Sequence, residues 1–413
     1  MPGPELTRFG SGLRVATDVM SGAGSVSMAA VVCIGSRDEP DETAGSSHFL
    51  EHLLFKGTLR RSAREVNRAV DAVGGDFNAY TTSESTVFHL RVPAEFAADA
   101  TDLLCEVVAH PRLDPQEMEI ERNVILGELD SALDSPDEVV VMSLADAAFA
   151  GHPLGRETLG IPDTIETMSV EDVADFHRRW YTAPNLVFAA AGRLDADRFA
   201  ATVAERFDDR AAHERPERTA PGVMSPAFVQ ERRPIEQVHL AIGWRCVTAT
   251  DPDRVPLAVL NHALGDGPCS RLHEEIRERR GLVYAVSSAA TTHTDSGLQS
   301  IYCATAPEHV AEVRALVDGI VADLLARGID DDELALAKGY LRGSLLLGME
   351  DSGGRMSRLG ASVATHDRIV PVAESLDLIE SVTRDDVMAV VHRVFDAARV
   401  VSLVGPDGFD VEA

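Results

Sequence analysis

Apolar positions along the chain fall into short, dense runs separated by longer stretches with a helical period. Val26 to Ile34 and Val238 to Trp244 are apolar and β-branched enough to form strands. Thr86 to Val92 reads TVFHLRV and alternates with the period of a half-buried strand. Leu186 to Ala191 and Val400 to Val404 are further short apolar strands. Between them lie helices with visible starts. Asp114-Pro115-x-Glu117 offers an N-cap, a proline for the first turn and a capping-box acid, and Ser169-x-x-Asp172 repeats the pattern. Strands and long helices segregate and do not alternate strictly, which predicts an α+β fold. The expected architecture is two duplicated α/β-sandwich domains, each a mostly antiparallel sheet with helices packed on one face.

The duplication rests on three anchors. Leu50-Glu51-His52-Leu53-Leu54 faces Leu260-Asn261-His262-Ala263-Leu264 at an offset of 210. Leu113-Asp114 faces Ile329-Asp330 at 216, and Ser169 to Val173 faces Thr383 to Val387 at 214. Nearly constant offsets are the mark of an internal repeat. The stretch from Asp208 to Pro226 is polar, Pro-bearing and aperiodic, so it reads as a linker. The expected division is an N-terminal domain over 1–208, a linker over 209–226 and a homologous C-terminal domain over 227–413.

Composition narrows the class. With 413 residues, 45% hydrophobic and 25% charged, the chain is a globular protein of about two domains. No apolar run approaches the ~18 residues of a spanning helix, and the N-terminus has no secretory pattern, so no membrane association and a cytoplasmic location are expected. A net charge of −29 argues against nucleic acid as a partner. Five cysteines, with no C-x-x-C pair, suit buried thiols better than disulfides or a thiolate metal site.

The segment Ser47 to Leu53, SHFLEHL, places three polar side chains in an apolar run. On a helix from Ala44 to Phe55, ended by Gly57, residues four apart share a face. His48 and His52 can thus ligate one metal, with Glu51 beside them and able to reach a water there without being a ligand. This is H-x-x-E-H, the inverse of the H-E-x-x-H zinc motif. Burying all three groups without a metal would leave them unpaired. A third ligand is needed. Glu121 and Glu128 lie seven apart on the helix Gln116 to Leu129 and share a face, and spacing alone does not choose between them.

H-x-x-E-H with a glutamate 76 positions later resembles the pitrilysin/insulinase family of zinc peptidases, in its processing-peptidase-like branch. The wider match is HFLEHLLFKGT, FNAYTTSESTVFHLRV, EIERNVILGEL and HPLGRETLG, with SRLHEEIRERRGLVYAV in the second half. The resemblance covers nearly the whole chain. It implies that His48, His52 and Glu128 bind one Zn2+ per chain, that Glu51 is the general base and that Glu121 supports a ligand histidine. It implies that Phe77, Asn78 and Ala79 lie on a strand edge to which substrate adds as a further strand. Arg277 and Tyr284 match the pair that reaches the scissile carbonyl. At the repeat offsets Glu51 maps to Asn261, His52 to His262, His48 to Ala258 and Glu128 to Ser344, so the second half lacks the metal set.

The activity implied is zinc-dependent endopeptidase cleavage of short or unfolded peptides inside a closed chamber, by water activated through Glu51. Family members build that chamber from four α+β units and this chain supplies two, so a homodimer, or a heterodimer with a related chain, is expected. The acidic charge favours basic peptides. The alternative is a non-catalytic or partner-dependent subunit of a heterodimeric processing peptidase.

Overall fold

Among the described residues, eleven strands form two sheets whose connectivity repeats. The computed structural model describes residues 3–208 and 215–408. The first sheet contains β1 (Glu5–Arg8), β2 (Arg14–Val19), β3 (Ser25–Val32), β4 (Asp76–Thr81), β5 (Thr86–Pro93) and β6 (Leu186–Gly192), in the order β1-β2-β6-β3-β5-β4. The second contains β7 (Ala227–Arg232), β8 (Val238–Arg245), β9 (Val283–Thr292), β10 (Gly297–Thr305) and β11 (Arg399–Gly405), in the order β7-β11-β8-β10-β9. From β2 onward the two orders match strand for strand. In each, one pair is parallel, β2 with β6 and β7 with β11, and the remaining pairs are antiparallel. The fold is therefore the duplicated α+β sandwich that the repeat predicts.

Side-chain parity explains the layers. On β3, Val26, Met28, Ala30 and Val32 join the core beneath the main helices, among them Ala97–Ala109 and Val170–Trp180. Ala29 and Val31 point the other way. There they meet Met356, Leu359 and Val363 of a single helix, Ser352–His366. Gly360 allows that close approach, because a Cβ on it would stand 3.0 Å from Val31 Cγ2. In the second sheet Leu240, Ile242 and Trp244 face the main helical layer, and Ala241 faces the helix Pro136–Ala148 through Val140 and Leu144. Each sheet thus carries its main helices on one face, as expected, and one further helix on the other. Burial on both faces is why β3 and β6 read as continuous apolar runs.

Two compact units result, and neither is contiguous in sequence. One comprises residues up to Asp130, Glu157–Arg218 and Leu346–Val370; the other comprises Ser131–Arg156, Thr219–Leu345 and the chain from Pro371 on. The boundaries 1–208 and 227–413 follow the sheets but not these two exchanged segments. Residues 215–226 carry no helix or strand, and 209–214 of the expected linker lie outside the described residues. Arg218, at the end of the first unit's share, grips Asp38 through both carboxylate oxygens at 2.8 and 2.7 Å.

Candidate metal centre

The SHFLEHL segment forms a helix, Ser46–Leu54, with most of its length buried. Its start is fixed from outside. Glu39, itself buried, accepts the backbone N–H of Gly45 at 2.6 Å and of Ser47 at 2.7 Å, which satisfies two orphan donors and places negative charge at the positive end of the helix. Gly45 has φ +97°, and Gly160, at the end of HPLGRETLG, has φ +98°. A Cβ on Gly160 would lie 2.8 Å from Gly45 Cα. Two glycines in contact let the 160 loop lie directly on the entry to the helix. The Thr164 hydroxyl completes the join by donating to the Ala44 carbonyl at 2.7 Å.

His48 and His52 come together as the four-residue spacing predicts, with ring centroids 4.7 Å apart and planes inclined at 74°. The third donor comes from the helix Pro115–Asp134. Glu128 Oε2 lies 3.6 Å from His48 Nε2 and 3.6 Å from His52 Nε2. One ligand atom from each of the three residues falls within 4.8 Å of the others. Tetrahedral zinc with bonds of about 2.0–2.1 Å holds its donors about 3.3 Å apart, so this set fits the ion with small side-chain adjustments. Glu121, on the same face of the same helix, lies on the far side of His52. Its Oε2 is 2.9 Å from His52 Nδ1, and its Oε1 takes Lys56 Nζ at 2.5 Å. A hydrogen bond at Nδ1 leaves Nε2, the nitrogen facing Glu128, as the lone-pair donor. Geometry thus separates two glutamates that spacing leaves equivalent.

The electrostatics suit a metal. Burial, and next the charge of His52, push His48 down to about 4, so its ring is neutral. His48 Nδ1 is buried and has no hydrogen-bond partner among the described residues. A neutral ring has a lone pair to offer a cation, and His48 Nε2 is the nitrogen that faces Glu128.

Glu51 projects from the same helix, and Thr81 Oγ1 donates to its Oε2 at 2.5 Å. Burial raises the Glu51 carboxyl above its ordinary range; the Thr81 bond and then the charge of His52 oppose that rise, and Glu128 adds to it. Burial, and next the charge of Glu51, also push up the phenol of Tyr181. Neither Thr81 nor Tyr181 figures among the residues read from sequence. For Thr81 the signal is strand parity: Phe77, Ala79 and Thr81 share one face of β4, and their neighbours Asp76, Asn78 and Tyr80 are exposed on the other.

Phe77, Asn78 and Ala79 lie on β4, the edge of the first sheet, which pairs only with β5 among the described strands. The Phe77 ring packs at 4.9 Å against Phe55, the residue that caps the metal helix. Arg277 and Tyr284 belong to the second unit, where they lie together. The Arg277 guanidinium stands 5.5 Å from the Tyr284 ring and its Nη1 is 2.9 Å from His273 Nε2. Tyr284 is 83% exposed, on the edge strand β9. At the repeat positions of Glu51 and His52, Asn261 Oδ1 accepts from Ser288 Oγ and Gln299 Nε2, both at 2.9 Å, and His262 stacks on Tyr340 at 4.0 Å.

A family profile described as "Insulinase (Peptidase family M16)" matches residues 14–161, and one described as "Peptidase M16 inactive domain" matches residues 167–341. A Mycobacterium tuberculosis protein named as an uncharacterized zinc protease is 38% identical over 410 residues, which cover 98% of this chain and 94% of its relative. The chain belongs to the insulinase family, peptidase family M16. The M16 fold is shared with a solved protease from Helicobacter pylori at a TM-score of 0.92 and 20% identity, covering 98% of this chain and 100% of that one. A Pseudomonas fluorescens structure described as a peptidase M16 inactive domain gives 0.91 at 22% identity, covering 99% and 100%. Within the M16 chain, the three residues that could hold a metal all fall in the segment that matches the insulinase profile, and Arg277 and Tyr284 fall in the other. No described helix is long and apolar enough to cross a membrane.

Proposed function

We propose that this M16 chain is a zinc-dependent endopeptidase of the processing-peptidase-like branch, acting on short or unfolded peptides. The observation that carries the reading is the convergence of His48, His52 and Glu128 beside a Glu51 carboxylate that is not needed as a ligand. The name zinc protease borne by the mycobacterial relative supports the choice of metal. Those three residues would hold one zinc per chain, which when bound would act as a Lewis acid toward a carbonyl and a water. Glu51 takes a proton from the attacking water and returns it to the leaving amine, a task suited to a carboxyl whose pKa is raised by burial. Glu121, tied to Lys56, keeps His52 in one tautomer and one orientation. The open edge of β4 at Phe77, Asn78 and Ala79 receives the peptide as an added strand, so main-chain bonds bind it with little regard to sequence. Tyr284 and Arg277, from this chain or a partner copy, donate to the oxyanion as it forms. The active form is a dimer, and the net charge of −29 favours basic peptides.

The test is cleavage of a quenched, unstructured basic peptide by the purified chain, lost on chelation and restored by zinc. A second reading is a subunit that works only beside a related chain. The match of residues 167–341 to a domain described as inactive favours keeping it. Size-exclusion chromatography coupled to the same assay separates the two, since a homodimer is active by itself.

A further inference from the structure

Thr81 stands at the end of β4, opposite Thr86 of β5, where the chain turns. That turn is clamped on both sides. Thr82 N–H donates to the Ser85 carbonyl at 2.8 Å, and the Thr82 and Ser83 carbonyls accept from the N–H groups of Ser36 and Arg37 at 3.1 and 3.0 Å. A Cβ on Gly35 would lie 2.2 Å from the Thr82 carbonyl oxygen, so only glycine permits this contact. The Thr81 hydroxyl is thus mounted on fixed backbone. It occupies one oxygen of Glu51, and no other side chain among the described residues hydrogen-bonds that carboxylate.

The second unit shows what the same arrangement does without chemistry. Asn261, at the repeat position of Glu51, is held by Ser288 of β9, the edge strand that matches β4. There a second donor, Gln299, saturates the same oxygen of a side chain that has no acid or base function. In the first unit a single donor takes one oxygen and leaves the other available.

We infer that Thr81 is a positioning residue for Glu51, holding Oε2 so that Oε1 alone faces the reacting water. The inference rests on the reading of Glu51 as the base. It also places the device that aims the base on the strand whose edge is assigned to the peptide.

The experiment compares zinc-loaded Thr81→Val and Thr81→Ser with the parent, by crystal structure, zinc content, and kcat and KM on the quenched peptide. In Thr81→Val the Glu51 carboxylate moves by about 1 Å or more, and kcat falls about 10- to 100-fold while KM stays within about twofold. Zinc content is unchanged, Thr81→Ser restores both position and rate, and Thr81→Val costs nothing further in a Glu51→Gln background. An unmoved Glu51 in Thr81→Val, or a loss of rate that Thr81→Ser does not restore, overturns the proposal. The crystallographic comparison needs no turnover. Wild-type turnover by Glu51→Gln alone removes the premise and the proposal with it, and is told apart by arising without any change at Thr81.

Discussion

His52 Nδ1 and Glu121 Oε2 stand 2.9 Å apart, and Glu121 is only 3% exposed. A buried carboxylate shared between an imidazole and the Lys56 ammonium fixes the ring that presents Nε2 to the metal donors. Glu121→Gln should therefore weaken zinc binding about 10- to 100-fold without removing a ligand. Competition with a fluorescent zinc chelator measures it. Affinity equal to the parent would mean that the Glu121 contact does not support the site.

The contact between Gly160 and Gly45 predicts a stability effect remote from the metal. Gly160→Ala places a methyl 2.8 Å from Gly45 Cα at a φ of +98°. Strain and displacement together should cost about 1–3 kcal/mol. Urea unfolding reads the loss directly, and zinc affinity should fall with it, because the shifted element is the start of the ligand helix.

Two helix starts give a pH dependence of known sign. The Ser169 hydroxyl, and next its backbone N–H, hold Asp172 below the ordinary carboxylate range, and Thr383 does the same for Asp386. A depressed folded pKa contributes stability that is present above the unfolded value of about 3.9 and is lost as pH falls through the folded value. Acid titration of thermal stability should show a shallower loss in the double variant Asp172→Asn, Asp386→Asn. Identical acid limbs would contradict the assignment. Thr383→Ala should cost about 1 kcal/mol at neutral pH through the lost cap.

Burial sorts the cysteines. Cys303 is fully buried and pushed up to about 12, and burial raises Cys105 as well, whereas Cys269 is exposed. Mild alkylation of the native protein near pH 8 should modify Cys269 and leave Cys105 and Cys303 untouched, as peptide mass mapping will show. Early modification of Cys105 or Cys303 would mean that their cores open readily.

Much of this was legible in sequence for a physical reason. His48, Glu51 and His52 lie within one helical segment, where periodicity alone fixes relative direction. The strands β3, β6, β8 and β11 were legible because buried strands leave dense apolar runs, and β5 because its apolar and polar residues alternate. Glu128 could not be told from Glu121, since both lie on one helix face and differ only in which side of His52 they meet. Thr81 was hidden because a threonine on an edge strand reads as ordinary strand composition. The exchange of 131–156 and 346–370 between units was not legible either: an amphipathic helix declares that one face is buried, but not which sheet buries it.

The most direct test of the account is turnover of the quenched basic peptide by Glu51→Gln protein carrying the same zinc content as the parent, with His48→Ala as the metal-free control. One zinc per chain is expected in both parent and Glu51→Gln, with cleavage by the parent alone and loss of both zinc and cleavage in His48→Ala. Parental turnover by zinc-loaded Glu51→Gln would contradict it.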